Sequence, residues 1–85
     1  MDYETLRETI QNTLSSPLDK DKLSTLHRKL EVHNAHLIIQ DLDDKLLKDV
    51  EFLLRSAIVL TDIGQPDDWK LQLQAAVSLL ENRKS

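Results

Sequence analysis

The sequence predicts an all-α fold, a small bundle of four helices, and three observations carry that prediction. Apolar residues recur at spacings of three and four along most of the chain, the period of a helix with one buried face. Leucine occurs seventeen times and β-branched residues are few, which disfavours strands. The 85 residues hold one glycine and two prolines, so few points break the pattern.

The four segments lie near 2–15, 17–40, 42–63 and 66–82. In the first, Tyr3, Leu6, Ile10, Thr13 and Leu14 form a narrow stripe, and Asp2 and Glu4 suit the positive end of the helix dipole. A stripe this narrow predicts a loosely held helix. Ser15-Ser16-Pro17-Leu18-Asp19 marks a boundary, with Ser16 placed to cap, Pro17 to open the next helix and Asp19 to close a variant of the capping box. In the second segment Leu23, Leu26, Leu30, His33 and Leu37 make a seam. Val32, Ala35, Ile38 and Ile39 spread apolar surface to another side, predicting that this end of the helix is well covered.

The third segment, LDDKLLKDVEFLLRSAIVLTDI, is the most apolar. Leu46, Leu47, Val50, Leu53, Leu54, Ala57, Ile58, Leu60 and Thr61 share an arc of roughly 160° on a helix, wide enough for a central element. Beyond a polar strip of Lys48, Glu51, Arg55 and Asp62 lies a second row of Phe52, Ser56, Val59 and Ile63. Asp41 is expected to cap this helix, with Asp43 and Asp44 in its first turn. Gly64 is expected to close it at a positive φ, with Pro66 following. No Gly or Pro marks the 40–41 boundary, so the rival is one helix from 17 to 63, roughly 70 Å long. The fourth helix follows Pro66, with Asp67 and Asp68 in its first turn and Arg83 and Lys84 near its end. Trp69, Leu73, Ala76, Val77 and Leu80 form its main face, widened by Leu71, Ala75 and Leu79. Trp69 reads as core.

A chain of this length makes a single domain spanning 1–85, with a thin core for which oligomerisation is a common supplement. The net charge is −4. Its basic residues gather in 20–36, where Lys20, Lys22, Arg28 and Lys29 face Asp21 and Glu31, yet an acidic total argues against nucleic-acid binding. The absence of cysteine excludes disulfides and thiolate metal sites. No stretch approaches a membrane span, and the polar start MDYETLRETI is unlike a signal peptide, so a soluble cytoplasmic protein is expected.

Few residues offer chemistry. His33 and His36 sit three apart, but a metal needs a third or fourth ligand, and Glu31 lies about 160° round the helix from His33. The Asp41-Asp43-Asp44 cluster lacks the glycine and terminal glutamate of a calcium loop. There is no Gly-rich phosphate loop and no arguable triad. The sequence thus names no catalytic, cofactor-binding or metal-binding residue and predicts no enzyme and no cofactor. Arg28 and His33 do spell R-x4-H, which resembles the nuclease motif of HEPN-type ribonucleases, all-α proteins that act as dimers. That resemblance covers one short motif and implies His33 as general acid or base and Arg28 as phosphate stabiliser. Lys29 departs from the polar residue usual after the arginine, and the chain is short for that family.

The main functional expectation is a bacterial-like interaction module, a regulator, adaptor or inhibitor acting on a protein partner through helical faces. A component acting on RNA or on a toxin partner, and a structural subunit of a larger assembly, are the alternatives. The candidate interface is Phe52, Ser56, Val59 and Ile63, buried in a homodimer, unless the first helix covers that row within the chain.

Overall fold

Four helices and no strand form among the described residues, 2–83, of the computed structural model. They are α1 (Tyr3–Ser15), α2 (Lys20–Ile39), α3 (Lys45–Ile63) and α4 (Asp68–Glu81). Each begins later than the apolar periodicity implies, and for α1, α2 and α3 the caps explain why. Asp2 caps α1, its carboxylate accepting from Glu4 N–H at 3.2 Å and from Thr5 Oγ1 at 3.0 Å. Asp19, not Ser16, caps α2, accepting from the Asp21 and Lys22 N–H groups. Ser16 instead ends α1, donating its N–H to Thr13 O, and Pro17 lies in the link outside either helix. Helix two therefore starts at 20 rather than 17.

Asp44, not Asp41, caps α3: its Oδ1 accepts from Leu47 N–H at 3.1 Å. That moves the start from 42 to 45. Asp41 belongs to the end of α2 and has φ 60°, the only positive φ recorded for a non-glycine residue among those described. Leu42 N–H donates to Leu37 O at 2.8 Å and Asp41 N–H to Ile38 O at 3.0 Å. These two bonds make a Schellman motif, which satisfies carbonyls that the helix end leaves free. The single 17–63 rod is thereby excluded.

Gly64 ends α3 but not at a positive φ; its φ of −91° and ψ of −176° are extended. Glycine is required for space instead. A Cβ there would lie 2.9 Å from Leu60 O, 2.9 Å from Asp68 Oδ2 and 3.1 Å from Leu60 Cδ2. Asp68 closes the turn, its Oδ2 accepting from Gln65 N–H at 2.8 Å, so α4 starts at 68 rather than 66. Arg83 finishes α4 by donating to Leu80 O at 2.6 Å, a favourable use of a cation at a helix C-terminus. Lys84 lies outside the described residues.

The principal interfaces run in a line: α1 on α4, α4 on α3, α3 on α2. The core is Leu6 and Ile10 of α1, Leu23 and Leu30 of α2, Leu47, Val50, Leu54 and Ala57 of α3, and Trp69, Leu73, Ala76, Val77 and Leu80 of α4. The Cα envelope measures 39 × 25 × 17 Å. With packed helix axes about 8–10 Å apart, 17 Å is only two helices deep, so every helix keeps an outer face. Polar links fasten this line. The Tyr3 hydroxyl donates to Asp44 Oδ2, so one carboxylate both caps α3 and ties down α1. That hydrogen bond, followed by burial and the Asp44 charge, raises the Tyr3 pKa above the ordinary tyrosine value. Arg83 lies 5.7 Å from the Tyr3 ring centroid and 3.6 Å from Glu4, and Lys20 pairs with Asp62.

Candidate functional site

The second apolar row of α3 faces outward. Phe52 is 63% exposed, Val59 47% and Ile63 77%, with Ser56 half-buried between them. Helix one does not cover it, because α1 packs on α4. The in-chain rival for this row is therefore ruled out: the narrow α1 stripe meets the far side of the bundle.

The end of α2 also departs from expectation. Val32, Ala35, Ile38 and Ile39 are exposed rather than covered, Ile39 at 82%. The reason is the order of the helices. α2 has one principal neighbour, α3, so only the Leu23–Leu30–Asn34 side is enclosed. His33, expected in the seam, is only half-buried, and Asn34 takes the enclosed position. Ile38 then stands with Phe52 on the rim of a groove between α2 and α3 of about 270 Å³, whose other lining residues are Asn34, Lys48, Glu51 and Arg55. On α4, Leu71, Ala75 and Leu79 are exposed instead of widening the core face.

The α2–α3 interface holds the main polar cluster. Asn34, 5% exposed, is the buried polar residue of the core region. Its Nδ2 donates to Glu51 Oε1 at 2.7 Å and to Leu47 O at 3.3 Å, while its Oδ1 has no partner. Glu51 Oε2 lies 3.3 Å from Arg55 Nη2, and Glu31 Oε2 lies 3.9 Å from the same nitrogen. One turn before Glu31, His27 turns into this cluster. A ring nitrogen of His27 and one carboxylate oxygen each of Glu31 and Glu51 lie within 4.8 Å of one another. His27 Nε2 is buried and has no hydrogen-bond partner.

The other motif residues do not converge. Arg28 and His33 line different cavities: Arg28 one on the outer side of α2 with Ser24 and Val32, His33 one between α1 and α2 with Thr5 and Leu26. Five residues apart on a helix is about 140° of rotation, which places them on different faces. His36 is exposed and away from the polar cluster. The three acidic residues at 41–44 serve separate structural ends: Asp41 in the Schellman turn, Asp43 in an ion pair with Lys48 at 2.7 Å, and Asp44 as cap. Sequence reasoning weighed His33 and His36 for metal binding and passed over His27. The available signal was the four-residue spacing of His27 and Glu31, which sets them on one helix face. No helix among the described residues is long and apolar enough to cross a membrane. No family model, curated protein or solved structure matches this chain.

Proposed function

We propose that the chain is a small non-enzymatic interaction module, a regulator, adaptor or inhibitor, that works as a homodimer through the outer row of α3. Its remaining helical faces are then free for a protein partner. The observation that carries this reading is the exposure of Phe52, Val59 and Ile63 on one row, with only Ser56 between them half-buried among the described residues. A contiguous apolar row is costly to leave in water, and a two-fold axis lets one patch cover itself.

The row has the pattern that self-pairing requires. With a two-fold axis at the small residue Ser56 and the helices antiparallel, Phe52 of one copy falls beside Val59 of the other, twice over. A cysteine-free composition suits a reducing compartment such as the cytoplasm.

The test is sedimentation equilibrium of wild type and Phe52→Glu. Wild type is expected to be a dimer at micromolar concentration. Phe52→Glu sets a carboxylate against Val59 of the other copy, where burying an unpaired charge is costly, and is expected to give a folded monomer by circular dichroism. A wild-type protein that stays monomeric at high micromolar concentration refutes the dimer. Larger oligomers that resist Phe52→Glu but yield to Leu71→Glu would favour a structural subunit, built through the exposed Leu71 and Leu79 of α4.

A further inference from the structure

We infer that the α2–α3 interface carries a site for a divalent transition-metal ion of the zinc class, held by His27, Glu31 and Glu51. The three side chains come from two helices and present ligand atoms within 4.8 Å of one another. Zinc binds imidazole nitrogen at about 2.0–2.1 Å and carboxylate oxygen at about 2.0–2.2 Å, which sets ligand atoms about 3.4 Å apart in a tetrahedron. The Glu31 side chain is 53% exposed, so packing does not lock it away from a closer approach. One imidazole with two carboxylates and room for water is a donor set that zinc accepts, and the exposure of Glu31 leaves the fourth position toward solvent.

Two further observations separate this cluster from a chance gathering of surface charge. His27 Nε2 is buried and without a partner, although buried ring nitrogens are ordinarily satisfied. A metal bound through this nitrogen would supply the missing partner. Glu51 is also held in place: its side chain is 16% exposed, and the buried Asn34 amide donates to it at 2.7 Å. An outer hydrogen bond that fixes a ligating carboxylate is a regular part of a metal site. Asn34 is itself under-satisfied, its Oδ1 lacking a partner.

Arg55 is the competing cation. It lies 3.3 Å from Glu51 and 3.9 Å from Glu31 and balances their charge when no metal is bound. At 56% exposure it can swing into solvent when an ion enters. Metal and Arg55 are therefore alternatives for the same two carboxylates.

Calorimetry and native mass spectrometry with Zn²⁺ alone test this. Wild type is expected to take up one Zn²⁺ per chain. His27→Ala and Glu31→Gln are expected to lose it, the second being a surface change that leaves the core intact. Asn34→Ala is expected to weaken binding by about 10–100-fold, the usual effect of removing an outer partner of a metal ligand. Arg55→Ala is expected to tighten it by up to about fivefold, the worth of an exposed ion pair. His36→Ala should leave it unchanged, and so should Ile63→Glu at the far end of the α3 row, because the ligands lie within one chain and do not depend on the dimer. Failure of wild type to bind stoichiometric Zn²⁺ overturns the inference. So does binding that survives His27→Ala or disappears with His36→Ala.

Discussion

Asp41→Gly is expected to stabilise the protein. Asp41 sits at φ 60°, where an L-residue brings its Cβ against its own backbone. That conformation costs about 1–2 kcal/mol for most side chains, and less for aspartate, whose short polar group is tolerated there. The turn around it is fixed by Leu42 N–H on Leu37 O and Asp41 N–H on Ile38 O, so the chain cannot relax without losing both bonds. Glycine removes the clash but adds freedom to the unfolded chain, which offsets part of the gain. A further few tenths of a kcal/mol come from deleting a negative charge beside the negative end of α2. The balance is roughly 0.5–1 kcal/mol. For a domain of this size that corresponds to a rise in Tm of about 2–8 °C. Asp41→Asn isolates the charge, since asparagine tolerates the left-handed region equally well, and should recover only those few tenths of a kcal/mol. Asp41→Ala removes the local tolerance and should fall below wild type. Thermal and urea melts followed by circular dichroism rank the four proteins. If alanine equals or exceeds glycine, the residue is not left-handed in solution and the reasoning fails.

Two other changes test the local geometry. Gly64→Ala should lower stability by roughly 1–3 kcal/mol through overpacking, because the new Cβ meets Leu60 O and Asp68 Oδ2 at 2.9 Å; an unchanged urea midpoint would show that the turn gives way freely. Tyr3→Phe should flatten the alkaline edge of stability. The folded-state pKa of Tyr3 is raised, so its contribution is complete below about pH 10 and lost as pH climbs through the folded value. As Tyr3 is the only tyrosine, phenolate absorbance reports its titration directly, and a curve that matches an unstructured peptide would contradict the Asp44 hydrogen bond.

The number and type of the helices were legible because leucine spacing alone fixes a buried face. The caps were not. Asp41, Asp43 and Asp44 are equivalent acceptors in sequence, and only the course of the backbone decides that Asp44 receives Leu47 N–H while Asp41 takes the left-handed turn. Gly64 was readable as a stop, but not the reason for it, since the crowding comes from Asp68 as well as Leu60. Ile38 and Ile39 are apolar enough for a core and are nevertheless exposed, because which helix neighbours α2 is a property of the whole bundle. The α3 row was visible as a second helical stripe. The polar cluster was half visible: His27 and Glu31 share a face by local spacing, but Glu51 joins them only through the register of α3 against α2.

The linear order of interfaces has a consequence for how the molecule opens. In a closed ring, each helix leaves only by giving up two neighbours. Here α1 and α2 stand at the two ends of the line, and each has one principal neighbour to leave. Their amides should exchange with deuterium through partial openings of lower free energy than global unfolding, while α3 and α4 exchange only when the whole protein unfolds. A departing α2 would bare the inner side of α3, including Leu47, and take His27 and Glu31 away from Glu51. Any ion bridging those residues would act as a clasp on the weaker end of the line, and it would read out in exchange rates along Lys20–Ile39 before it altered the melting of the rest.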